Sequence, residues 1–145
     1  MTLALRLAGL ALAAAALGAH ADATPARTVP IKVGAHALRV EVMTNDEERA
    51  RGLMHRKHLG ANDGMLFVFD EPAYHSMWMK DTLIPLSVAF LDRNGVILNI
   101  LDMEPQTLDP HVSAGPSIYA IETNKGWFAA KKIKPGDKVT GLPKK

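Results

Sequence analysis

Leu86–Leu101 reads LSVAFLDRNGVILNIL. Two short apolar runs, Leu86–Leu91 and Val96–Leu101, flank Asp92-Arg93-Asn94-Gly95. Each run is too short for a free-standing helix and is rich in the branched and aromatic residues that strands favour. Asn-Gly accepts positive φ cheaply, so the stretch predicts an antiparallel hairpin. Upstream, Gly64–Phe69 (GMLFVF) is an apolar run closed by Asp-Glu-Pro and reads as a buried strand. In Ala37–Met43, Leu38, Val40 and Val42 alternate with Arg39 and Glu41, the pattern of a strand with one wet face. Val29–Val33 is its hairpin partner across Gly34-Ala35-His36. Tyr74–Lys80, Ile118–Glu122 and Lys138–Thr140 complete the predicted strands. Helical signal is sparse. Thr44, followed three residues later by Glu47, predicts a capping box opening a short helix over Asn45–Arg51 that Gly52 stops. Trp127–Lys132 allows at most one more. Leu53–Asp63 reads as irregular, and the proline-rich Glu104–Pro116 reads as a long loop. About eight short strands with one or two short helices do not alternate as a doubly wound fold requires. The expected fold is mainly β: a jelly-roll-like β-sandwich or a partly closed barrel.

The chain has 145 residues, room for one domain, predicted over residues 31–145. Its formal charge of +2 gives no footprint for nucleic acid. The absence of cysteine excludes disulfides, thiolate zinc sites and a Cys nucleophile. The first 21 residues, MTLALRLAGLALAAAALGAHA, are built for targeting. Arg6 forms a positive n-region and Leu7–Leu17 an uncharged h-region. Ala19-His20-Ala21 is a small-x-small cleavage site. Cleavage after Ala21, or after Ala23, predicts a periplasmic or secreted protein. The mature chain then begins with a flexible lead-in over residues 22–30 and has no membrane span; the alternative is an uncleaved membrane anchor, against which the apolar run is shorter than the roughly 20 residues a spanning helix needs. Such a chain must be stable through its core alone.

The densest polar segment is His75–Thr82 (HSMWMKDT). On an extended strand His75, Met77 and Met79 share one face, and an imidazole with two thioethers suits copper(I). The ends of that trio lie about 13 Å apart on a straight strand. The site therefore needs a bend, or Met103 or His111 to complete it. The alternative is that both methionines are core. Lys80, Asp81 and Thr82 at the strand end, beside the flat ring of Trp78, form a candidate ligand-binding group, with Arg51 and Glu122 as neighbours. Asp81 is also a candidate general acid or base, which would make the protein a small enzyme. The alternative is a solvated turn. Arg49, Arg51 and Arg56 with His55 and His58 form a basic cluster that suits an anion or simply holds acidic loops in place. His55 and His58 lack an evident third zinc ligand. Asp102, Glu104, Asp109 and His111 offer oxygen and imidazole donors without EF-hand spacing. No Gly-x-Ser-x-Gly, phosphate loop or His-Glu-x-x-His is present.

Several ordered motifs together resemble the domain-of-unknown-function 192 family, also called uncharacterised protein family 0127. They are Arg51-Gly52-Leu53-Met54-x-Arg56, Gly64-Met65-Leu66-Phe67-x-Phe69 and Trp78-Met79-Lys80-x-Thr82-x-Ile84-Pro85-Leu86. Met103-Glu104-Pro105 and Tyr119-Ala120-x-Glu122-x-Asn124-x-Gly126-Trp127-Phe128 follow. The resemblance spans about Val29–Val139. It implies a single β-rich, jelly-roll-like domain, often behind a signal peptide, and brings no established activity. Relatives commonly carry Asn where Asp81 stands and Asp where Ser87 stands, so no catalytic role transfers to either residue. Position 77 is often aromatic or aliphatic in relatives, which argues against Met77 as a shared copper ligand. The resulting expectation is an exported binding or accessory domain, with an unknown small molecule or protein as partner and no cofactor unless copper.

Overall fold

The computed structural model describes residues 26–144. The predicted signal segment and residues 22–25 of the lead-in lie outside these. Among the described residues the order is β1 (Thr28–Val33), β2 (His36–Met43), α1 (Asp46–Arg51), β3 (Asp63–Ala73) and β4 (Ser76–Met77). It continues through β5 (Leu86–Leu91), β6 (Ile97–Met103), β7 (His111–Val112), β8 (Ser117–Asn124), α2 (Trp127–Ala130) and β9 (Val139–Thr140). The protein is mainly β, as expected.

Seven strands form one sheet in the order β6-β5-β8-β3-β2-β1-β9, and β4 and β7 form a separate pair. One large sheet, not two stacked ones, makes this the partly closed barrel of the two architectures expected. Its edges meet. Val96, just before β6, bridges Lys138, just before β9. Val139 N–H donates to Gly95 O (2.8 Å) and Ile97 N–H to Asp137 O (2.9 Å). These bonds use backbone groups that an open edge would leave unpaired. All neighbours are antiparallel except β2 and β3, whose parallel pairing needs a crossover, supplied by α1 and the segment after it.

The period-two alternation sorts side chains onto two faces. The first holds Ile31, Val40, Leu66, Ala89, Ile97, Ile121 and Val139, joined by Trp127 and Phe128 from α2. Every strand of the large sheet contributes to this cluster, including both edges, so it is the interior of the curl. The second face holds Met65, Phe67, Phe69, Leu86, Val88, Phe90 and Ala120 under Leu53, Leu59 and Met79 from loops.

Local readings shift in four places. Thr28–Pro30, the end of the lead-in, already pair with β2. The helix cap is Asn45, not Thr44. The Asn45 side chain accepts from Glu48 N–H, and the Glu48 carboxylate accepts from Thr44 N–H (2.8 Å) and Asn45 N–H. Both frames fit the sequence, but Asn caps at least as well as Thr, and β2 runs to Met43, leaving Thr44 outside the helix. The Asp92–Gly95 turn needs positive φ only at Gly95 (76°). Asp92 Oδ1 accepts from Asn94 and Val96 N–H, and the β5–β6 register slips at Phe90/Leu91. This is a turn with a bulge, not a two-residue primed turn. Finally, the strand predicted over Tyr74–Lys80 shrinks to Ser76–Met77. Met79 N–H donates to Thr107 O, and the chain then turns through Asp81 at φ 52°.

Candidate functional site

A cleft of about 690 Å³ opens on the outer face of the sheet. One wall is the end of α1 with Arg49, Arg51 and Leu53, and another is the far half of β3 from Phe67 to Ala73. A third is the segment carrying His75, Met77, Trp78, Lys80 and Thr82. Glu122 of β8 also lines it.

The walls are fixed by identifiable bonds. α1 buries no residue of its own and is held by Arg49. That guanidinium donates to Thr44 O (2.7 Å), Val68 O (2.8 Å), Asp46 (2.6 Å) and Asp70 (2.9 Å). Gly52 ends the helix at φ 45°, and a Cβ there would stand 3.3 Å from the Phe67 ring, so a larger residue would be strained and press on the cleft wall. The third wall is pinned at its Asp81–Thr82 end. His55 N–H donates to Asp81 O, and Gln106 N–H donates to Thr82 O. Thr82 is buried, and its hydroxyl donates to Lys80 O (3.0 Å). The Lys80 ammonium stands 5.4 Å from the Trp78 ring centre. Trp78 is half exposed at the mouth.

Glu122 is the unusual member. It lies on the outer face between Met65 of β3 and Val88 of β5 and is 4% exposed. Among the described residues its carboxyl has no hydrogen bond and no ion pair. Burial alone pushes its pKa up to about 8, so the group is mostly protonated at neutral pH. A charged group in an apolar face with no internal partner is costly to keep.

Of the residues singled out from sequence, Arg51, Trp78, Lys80, Thr82 and Glu122 come together on this cleft. Asp81 does not line it; it occupies the exposed left-handed turn beside it. Ser87 lies on the interior face. Its hydroxyl donates to Asp102 (2.6 Å) and accepts from Gly126 N–H (2.9 Å), so it is separated from Asp81 by the sheet. His75, Met77 and Met79 do not share a strand face, because the strand ends at Met77. Met79 is fully buried in the core, and His75 stacks on Phe69 (3.6 Å) with Nε2 2.9 Å from Glu71 O. No His, Asp or Glu group of three or more is gathered for a metal among the described residues. In the basic cluster, Arg56 pairs with both oxygens of Glu41, and Arg49 is tied as above. Arg51 has no side-chain partner among the described residues. Sequence reasoning missed the apolar walls, Leu53, Phe67 and Phe69. The signal was present in GMLFVF, since period two puts Phe67 and Phe69 on the same face as Met65.

The fold and cleft together define a class: a small β protein built on one large, partly closed sheet, with a cleft lined by apolar walls and a buried acid. The chain belongs to the DUF192 family, described as "Uncharacterized ACR", which matches residues 29–141. It is similar to a crystal structure of a protein of unknown function from Novosphingobium aromaticivorans, with 37% identity, 77% of this chain and 84% of that chain covered, and a TM-score of 0.75. It is also similar to a putative transcription regulator from Sinorhizobium meliloti, with 30% identity, 81% and 95% covered, and a TM-score of 0.78. No curated protein matches the chain. Among the described residues no helix is long and apolar enough to cross a membrane.

Proposed function

We propose that the protein is an exported binding domain whose ligand occupies the cleft beside Arg51, Trp78, Lys80, Thr82 and Glu122. One observation carries the reading. A buried carboxyl that has no partner among the described residues lines a cleft of about 690 Å³, a size suited to a small molecule or a short peptide. A group left unsatisfied in the free protein is one that a ligand can satisfy. Arg51 and Lys80, which have no ion-pair partner among the described residues, and the half-exposed Trp78 ring add polar and flat contacts to the cleft. Export rests on the Arg6, leucine-rich, Ala19-x-Ala21 layout and predicts a mature chain that starts near Asp22. The description of the Sinorhizobium protein as a putative transcription regulator finds no support in this chain, whose formal net charge of +2 gives no nucleic-acid footprint.

A thermal-shift screen of small molecules, read also by Trp78 fluorescence, tests the site. Mass action requires a true ligand to raise the melting temperature by several degrees at a hundredfold excess over its Kd. The Arg51→Ala/Lys80→Ala double variant should lose much of that shift. A wide screen that moves neither signal would remove the binding reading. Intact-mass measurement of periplasmic protein tests export, and full-length chain in the membrane fraction would refute it.

A further inference from the structure

We infer that the ligand is a zwitterion, with an organic ammonium seated on the Glu122 carboxyl and an anionic group at Arg51 and Lys80. This rests on the cleft being a ligand site and names the chemistry that the site selects.

The argument starts from what surrounds Glu122. Its cross-strand neighbours Met65 and Val88 are apolar, and the cleft beside it is walled by Phe67, Phe69 and Leu53. Among the described residues no donor reaches the carboxyl. A carboxyl among aromatic and thioether groups is a recognition set for an organic cation, because ring faces attract positive charge and the carboxylate neutralises it. The competing possibility is a protonated Glu122 donating to a neutral carbonyl. A charge-assisted bond is about twice as strong as a neutral one. Ionising the acid near neutral pH costs little when its free value lies only about one unit above. The cationic partner therefore gains more. The other titratable groups around the cleft are Asp46, Arg49 and Arg51 of α1, Asp70 and Glu71 of β3, and His75 and Lys80 of the third wall. Arg49 is engaged by Asp46 and Asp70, and one guanidinium against two carboxylates leaves that corner net negative. Arg51 and Lys80 are the cations left for an anion. A ligand that satisfies Glu122 and the two cations carries an amine and an anion on one apolar body.

Calorimetric titration with γ-aminobutyrate, ε-aminocaproate, N-acetyl-ε-aminocaproate, caproate and n-hexylamine tests this. The length that best spans the cleft is read from the two amino acids. The better one should bind at least about tenfold more tightly than the acetylated amide or caproate. Binding below pH 8 should release a proton, and affinity should rise as the pH is raised towards 8. Glu122→Gln should abolish the preference for amine over amide, and Arg51→Ala/Lys80→Ala the preference for the zwitterion over hexylamine. If Glu122→Gln does not fold, proton release and the pH profile of the unaltered protein decide the matter. Equal binding of the amide, with affinity falling as pH rises, would overturn the inference and leave the cleft reading intact. No binding by any probe also overturns the inference; the cleft reading falls separately, only if the wide screen fails as well.

Discussion

The interior face of the sheet and the outer face beneath the cleft are both dominated by buried apolar side chains, yet they treat polar groups differently. In the interior, each embedded polar side chain of consequence is answered. Ser87 is held between Asp102 and Gly126, the Tyr119 hydroxyl donates to Pro143 O (3.1 Å), and Trp127 Nε1 donates to Asn62 Oδ1 (3.1 Å). On the outer face Glu122 is buried just as deeply and is answered by nothing among the described residues. An interior that satisfies its polar groups serves stability. A face that leaves one unsatisfied, beside an open cleft, gives up stability that binding can restore.

The largest expected effect tests the stabilising face. Phe128 is 1% exposed and plugs the interior cluster. Phe128→Ala should cost about 3–5 kcal/mol in denaturant unfolding, with cleft affinity unchanged where the variant still folds. An equal loss of affinity would show that the two faces are not separable.

Glu122 makes the next largest difference. Its folded pKa lies above the unfolded value, so the folded state holds more protons between about pH 4.5 and 8. Stability should be greatest below pH 4.5 as far as this group is concerned. It should fall as pH rises through that window, by a few kcal/mol in all, and level off above 8. Glu122→Gln should flatten that part of the profile, as read by urea midpoints from pH 5 to 9. A profile identical in both proteins would mean that water or a partner reaches the carboxyl.

Ser87→Ala should cost about 1–3 kcal/mol, because Asp102 and Gly126 N–H lose their shared partner. It should leave ligand binding alone, since the serine lies across the sheet from the cleft. A change in binding without a change in stability would reverse the assignment of the faces.

Much of this was legible along the chain. The Leu86–Leu91 strand, the turn at Asp92–Gly95 and the alternating face of β2 follow from local pattern, because period two and turn chemistry are properties of adjacent residues. The strand over Tyr74–Lys80 was misread because its polar and apolar residues alternate for a different reason: Met79 is drawn into the core while Trp78 and Lys80 stay at the mouth. The cleft residues Arg51, Trp78, Lys80, Thr82 and Glu122 were identifiable by type and motif. That Asp81 would turn aside was not, since its placement depends on bonds from His55 and Gln106 to the turn around it.

The sequence by itself determined a mainly β chain, the sides on which its strands are apolar, a short capped helix after β2 and the residue types available for a site. Only the tertiary structure decided that one sheet curls until its edges meet, that β2 and β3 run parallel, and that Glu122 is buried beside Met65 and Val88 on the lining of a cleft built from three distant segments. The reason is physical. Strand periodicity is set by covalent neighbours, whereas burial and charge state are set by the sum of everything packed around a group, and for Glu122 its nearest flanking residues lie on other strands.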